Sequence, residues 1–193
     1  DALREIEKES YRHVARLVLE ILRSTRMPQE EFAARVSFAN PELLEGATDH
    51  WEKQAIVLLI HQGNWEWMLH GATTRFNIPI DPVYKPLHNA AVDKLIYEIR
   101  SQFGSRPLSM DDSVKDIIRR RREFRVFVMV ADQSPIRSER GYWTQFMNQE
   151  ANFYLGAETI AKMTRFPVLF AQCTRRRTGY YEIEFREVAQ PPY

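Results

Sequence analysis

Apolar positions along the chain fall into two periods. From Leu3 to Leu22 the residues Leu3, Ile6, Val14, Leu17, Val18, Ile21 and Leu22 recur at three- and four-residue spacing, which predicts an amphipathic helix. Its apolar face has two destinations, the helix's own domain or a membrane surface. Met27 to Val36 reads as a short second helix with Pro28 in its first turn. Ala55 to Ile60 (AIVLLI) and Arg125 to Ala131 (RVFVMVA) are continuously apolar and rich in β-branched residues, the pattern of central strands covered on both faces. Ile78 to Lys85 and Pro167 to Thr174 are further strands, and Tyr180 to Val188 alternates like a strand near a sheet edge. Helical patterns lie between them at Trp65 to Phe76, Asn89 to Phe103, Ser113 to Arg122 and Gly156 to Thr164. Strands alternating with helices predict an α/β fold, a layered domain with a largely parallel central sheet flanked by helices.

Composition narrows the function classes. With 193 residues and 44% apolar content the chain can bury a sizeable core, and it has no internal repeat, low-complexity tract or linker, so residues 1–193 read as a single domain. Lys and Arg number 27 against 26 Asp and Glu, and a net charge of +1 argues against nucleic acid held by a global positive field. Two local basic clusters, Arg119 to Arg122 and Arg175 to Arg177, read either as contacts for anionic groups or as solvated faces. A single cysteine, Cys173, cannot close an internal disulfide, and no histidine or cysteine spacing suits a structural metal, so none is expected. No run of about 18 apolar residues spans a bilayer, and the first residues, DALREIEKESYRH, lack the apolar stretch of a secretory signal. Because residue 1 is Asp and not Met, an upstream segment is expected to be missing.

Candidate chemistry follows the first apolar strand directly, in His61-Gln-Gly-Asn-Trp-Glu66. Gly63 permits a tight turn and Asn64 is a good N-cap; Glu66 then falls in the first helical turn, from which it can reach back to the imidazole. Ligands of open α/β sheets gather outside the carboxyl ends of the strands, where this histidine is expected. A carboxylate on one ring nitrogen fixes the tautomer and stabilises the imidazolium, leaving the other nitrogen to take a proton from an alcohol. Spacing alone is weak evidence, since roughly one histidine in seven would show it by chance in so acidic a chain. His88 and Asp93 share the separation, but five residues along a helix turn through roughly 500°, which puts them on different sides. On the residues alone, a catalytic His61 stands beside one that merely caps or packs at a strand end.

Five blocks in order, HQGNWEW, VYKPLHNAAVDKLIYEIRSQFG, VMVADQSP, GAETIAKMTRFPVLF and RRTGYYEIEF, resemble the lipid A biosynthesis acyltransferases, the lauroyl and myristoyl transferases of Gram-negative bacteria. That family lies within the glycerolipid acyltransferase superfamily, which shares a His-x4-Asp/Glu signature. The resemblance implies transfer of a fatty acyl chain from acyl-acyl carrier protein to a hydroxyl of a lipid A precursor. It implies His61 as the base and Glu66 as the acid that orients it. Arg100 stands at the family's arginine, implying contact with a phosphate or the developing oxyanion, against a bland reading as a solvated helix charge. Asp132 and Gln133 match the family's Asp-Gln block; Asp132 reads as a substrate contact, a second acidic partner of His61, or a loop carboxylate satisfying backbone amides. Asn64 and Lys85 are further implied substrate contacts, Lys85 standing where relatives often carry arginine. No cofactor or metal is implied, the carrier protein being the donor substrate. Partners would be that protein, a membrane glycolipid and the membrane surface at the cytoplasmic face of the inner membrane, with the chain truncated at one or both ends relative to the family. Ser134 and Cys173 lack any nucleophile motif, which points to direct transfer. Trp65, Trp67, Trp143 and Phe146 read as groove lining or as core. Two alternatives remain: acylation of another membrane lipid (an ornithine lipid, an aryl polyene or a glycosylated phospholipid), or a non-catalytic lipid- or carrier-binding module.

Overall fold

The computed structural model describes residues 2–135 and 141–193. In chain order it contains α1 (Ala2–Ser24), α2 (Gln29–Arg35), β1 (Val36–Phe38), α3 (Pro41–Ala47), β2 (Ala55–Leu59), α4 (Trp65–Phe76), β3 (Ile80–Tyr84), α5 (Ala90–Ser101), β4 (Leu108–Ser109), α6 (Met110–Arg119), β5 (Val126–Val130), β6 (Gly141–Phe146), β7 (Gln149–Tyr154), α7 (Gly156–Thr164), β8 (Val168–Arg177) and β9 (Tyr180–Ala189). Seven strands form one sheet in the order β1-β9-β8-β2-β5-β3-β4, parallel throughout except for the antiparallel β8–β9 pair. The α/β layered architecture with a largely parallel central sheet is therefore present.

Burial explains the continuously apolar strands. Val57 and Leu59 of β2 face a cluster with Phe32 of α2 and Trp67 and Leu69 of α4, while Ile56 and Leu58 face the opposite cluster with Ile117 of α6 and Ile160 of α7. Both faces of β2 and β5 are covered, so neither strand shows a polar alternation. β9 lies one place inside the edge, bordered by the three-residue β1.

Three short elements, β1, α3 and β4, are too brief to leave a periodic signal. The β6–β7 hairpin also escaped the sequence reading. Its turn places Met147 and Asn148 at φ 51° and 63°, so a left-handed pair is made without the Gly that usually marks such a turn. In the Arg119 to Arg122 cluster Arg119, Arg121 and Arg122 are exposed, as a solvated face would be, and Arg120 departs from both readings. Arg120 is buried and holds Asp81 and Asp116, Arg119 reaches Asp116, and Arg125 also pairs with Asp81, which is fully buried. This internal network ties α6 to β3 and β5.

Candidate active site

β2 and β5 run in register, Leu59 opposite Val130, so the residues that leave the two strands at their carboxyl ends meet. His61 follows β2 and Asp132 follows β5. The His61 imidazole Nδ1 lies 2.7 Å from Asp132 Oδ1, and the His61 backbone N–H donates to Oδ2 at 3.0 Å. Burial pushes the Asp132 carboxyl up, but the hydrogen bonds from the His61 backbone and ring, with the ring's charge, outweigh it and hold the group below its ordinary range. An ionised carboxylate only accepts, so Nδ1 carries the proton and Nε2 is the nitrogen left with a lone pair. Trp65 packs edge-on against the ring with centroids 4.7 Å apart.

Glu66 takes another place. Its carboxylate, 3% exposed, is held by Arg100 through Nε–Oε2 at 2.9 Å and Nη2–Oε1 at 2.5 Å, and accepts from the Trp65 indole at 3.1 Å. No hydrogen bond joins Glu66 to His61 among the described residues; the acid that reaches the imidazole is 71 residues downstream of it. The first turn of α4 aims Glu66 at the end of α5, whereas strand pairing carries Asp132 to the ring. Arg100 is correspondingly engaged in an ion pair through Nε and Nη2. Burial alone would lower its pKa, but Glu66 raises it. Tyr84 lies under the guanidinium at 5.7 Å.

Asn64, expected among the substrate contacts, is fully buried and serves the scaffold. Its Oδ1 accepts from the Trp67 N–H at the start of α4, and its Nδ2 donates to Glu20 of α1 at 2.8 Å. Glu20 also accepts from the Tyr181 hydroxyl, and the Trp67 indole donates to the Glu20 carbonyl and to Ser24. These contacts fasten α1 across the site, and nothing in the spacing of Glu20 announced them. Gly63 adopts φ 66°, and a Cβ there would come within 2.5 Å of Cys173 Sγ, so the turn carrying His61 closes directly onto β8. Cys173 is buried and its thiol is pushed up to about 11 by burial, which makes it a poor nucleophile.

Lys85 and Gln133 are exposed, following β3 and β5 at the same sheet edge. Of the aromatic residues, Trp67 is core, Trp65 touches His61, and Trp143 and Phe146 stand exposed on the hairpin. His88 is exposed, and Asp93 instead accepts from the Leu87 backbone N–H. Among the described residues no three His, Cys, Asp or Glu side chains converge as metal ligands would, and no helix is long and apolar enough to cross a membrane.

An imidazole held at Nδ1 by an ionised acid at the carboxyl edge of the sheet, with Nε2 unpaired among the described residues, is equipped to take a proton from a hydroxyl. Residues 2–189 match a family model described as bacterial lipid A biosynthesis acyltransferase. A comparison with curated proteins returned no match.

Proposed function

The chain belongs to the bacterial lipid A biosynthesis acyltransferases and is an acyltransferase; from that premise we propose that it carries a fatty acyl group from acyl-acyl carrier protein to a hydroxyl of a lipid A precursor, with His61 as general base. The observation that carries this reading is the 2.7 Å contact between His61 Nδ1 and Asp132 at the carboxyl edge of the sheet. Nε2 takes the hydroxyl proton as the oxygen forms its bond to the thioester carbonyl carbon. Asp132 stabilises the imidazolium that results. Collapse of the tetrahedral intermediate breaks the carbon–sulfur bond, and the imidazolium returns its proton to the departing thiolate. Glu66 acts at one remove: with Arg100 it fixes the Trp65 indole, whose edge meets the catalytic ring.

Access from a membrane suits the same edge. α1 borders the turn after β2, the loop before α5 follows β3 and the β6–β7 hairpin comes after β5 in the chain, and they expose Tyr11, Val14, Val18, Leu87, Trp143 and Met147 to solvent. We assign this apolar rim to contact with the lipid surface that presents the acceptor, at the cytoplasmic face of the inner membrane. Incubating the protein with acyl-acyl carrier protein and a lipid A precursor should yield a product heavier by one acyl chain by mass spectrometry. His61→Ala should reduce the rate on the order of 100-fold or more, as loss of a general base does. Undiminished turnover by that variant would remove His61 from the mechanism.

A further inference from the structure

We infer that the cavity between α1, the His61–Gly63 turn and the end of β8 binds a phosphate group of one of the two substrates. The inference rests on the proposed transfer reaction for the identity of those substrates, and on the following geometry for the site itself.

The cavity measures about 320 Å³ and is lined by Glu9, His13 and Arg16 from α1, Gln62 and Gly63 from the turn after β2, and Cys173, Thr174 and Arg175 from β8. β8 and β5 are the two neighbours of β2. Asp132 therefore holds the imidazole from one side and the cavity opens on the other, against the turn that carries His61.

Its cations are uncommitted. Arg100 is tied to Glu66, and Arg120 and Arg125 to Asp81. Within the basic run on β8, Arg176 pairs with Glu182 and Arg177 lies over the Tyr180 ring at 3.7 Å. Arg175 and Arg16 make no hydrogen bond or ion pair among the described residues, although both point into one cavity. The one carboxylate on the lining, Glu9, is engaged by Arg12 at 2.6 Å. The Arg12 hydrogen bond is the main influence holding Glu9 below its ordinary range, and the charges of Arg16 and Arg175, which line the same cavity, act in the same direction. Glu20, nearby on α1, accepts from Asn64 and Tyr181 through Oε2.

Two planar guanidinium forks, an imidazole and the Thr174 hydroxyl suit a tetrahedral oxyanion with several acceptor oxygens. Both proposed substrates bring one: the acceptor as a sugar phosphate, the carrier protein as the phosphodiester of its prosthetic arm. The shared chemistry is a phosphate seated beside the base, so that the reacting hydroxyl or thioester is held near Nε2. Sequence reasoning gave the anion role to Arg100, which the fold instead consumes in an ion pair.

The test uses the whole chain with Arg16→Gln/Arg175→Gln, beside Arg16→Lys/Arg175→Lys as the conservative pair. Unfolding midpoints establish that both variants fold. Kinetics are run with acyl-acyl carrier protein against an acyl thioester of N-acetylcysteamine, which has no phosphate, and with phosphorylated against dephosphorylated acceptor. The Gln pair should raise KM on the order of 10-fold or more for one phosphate-bearing substrate, with kcat little changed and the Lys pair intermediate. The substrate whose phosphate-free form abolishes the difference between wild type and variant is the source. Direct calorimetric titration with inorganic pyrophosphate separates the site from the reaction. Salt-sensitive binding that disappears in the Gln pair supports the site even if no acyl transfer is found. Unchanged pyrophosphate binding, or kcat falling equally with every substrate at constant KM, overturns it while leaving the transfer reaction standing.

Discussion

At the scale of single residues, the two acids near His61 have separable duties. Asp132 is a third exposed and contacts the ring, whereas Glu66 is buried against Arg100. Asp132→Asn should therefore leave the unfolding midpoint nearly unchanged, because an exposed pair contributes little to stability, while lowering the rate by about 10³-fold through loss of the correct tautomer. Glu66→Ala should do the reverse first, destabilising by roughly 3 kcal/mol as Arg100 is left buried without its counter-charge. Unfolding curves and initial rates on the same preparations decide between this division and an equal role for the two acids. A third group, His70, has both ring nitrogens without hydrogen-bond partners among the described residues, is fully buried between Phe32 and Phe103 at 4.8 and 5.5 Å, and has its pKa pushed down to about 4 by that burial. The folded pKa lies below the ordinary 6.5, so the unfolded chain takes up the proton first. Stability is complete above about pH 6.5 and falls as pH drops toward 4, by roughly 3 kcal/mol from this group. His70→Leu should flatten that fall and raise the midpoint at pH 5 above wild type. An equally steep acid limb in the variant would place its origin elsewhere.

Among elements, the ion network around Asp81 is the main polar tie between α6 and the sheet. Asp81 lies fully buried on β3, and Arg120 and Arg125 converge on it from the end of α6 and the start of β5. Removing the acid leaves Arg125 without its counter-charge and Arg120 with Asp116 alone, so Asp81→Ala should cost about 3–5 kcal/mol in chemical denaturation. The network lies toward the amino ends of β3 and β5, away from His61, so KM for both substrates should hold wherever the variant remains folded. Loss of substrate affinity without loss of stability would contradict this separation. α5 shows the opposite balance: only Ile99 is buried, and Arg100 anchors its last turn. α1 is fixed through Leu17, Glu20 and Ser24 but leaves Tyr11, Val14, Val18 and Leu22 exposed along an adjacent stripe. One stripe of the helix is thus packed on its own domain and the adjacent stripe is open to solvent.

For the whole molecule, exposed apolar side chains gather on α1, which borders the turn carrying His61, and on the β6–β7 hairpin that follows the carboxyl edge of β5 in the chain. The hairpin tip is the extreme case, with Met147 80% exposed and Trp143 65% exposed. If this edge meets the lipid surface, Phe146→Asp/Met147→Asp should reduce co-flotation with vesicles of phosphatidylethanolamine and phosphatidylglycerol, since charges there resist transfer into the interface. Activity on a detergent-dispersed acceptor should change far less. Equal flotation by wild type and variant would take the hairpin out of the contact. What the linear chain determined by itself was local: α4 and α7 lie at the residues their periodicity predicted, β2 and β5 follow from apolar runs, and Asn64 caps α4 as its position before the helix required. His61 was legible for the same reason, because a histidine after a buried strand must emerge at the carboxyl end. Its partner was left open: Asp132 stood as a second acidic candidate through the family resemblance, and nothing in the chain chose it over Glu66. The i and i+5 spacing of His61 and Glu66 suggested a pair, but side-chain direction in the first helical turn sent Glu66 to Arg100. Strand register, a contact between residues 71 apart, brought Asp132 to the ring. Which carboxylate touches the imidazole, and which arginines remain free beside it, depends on distances through space that only the packed sheet supplies.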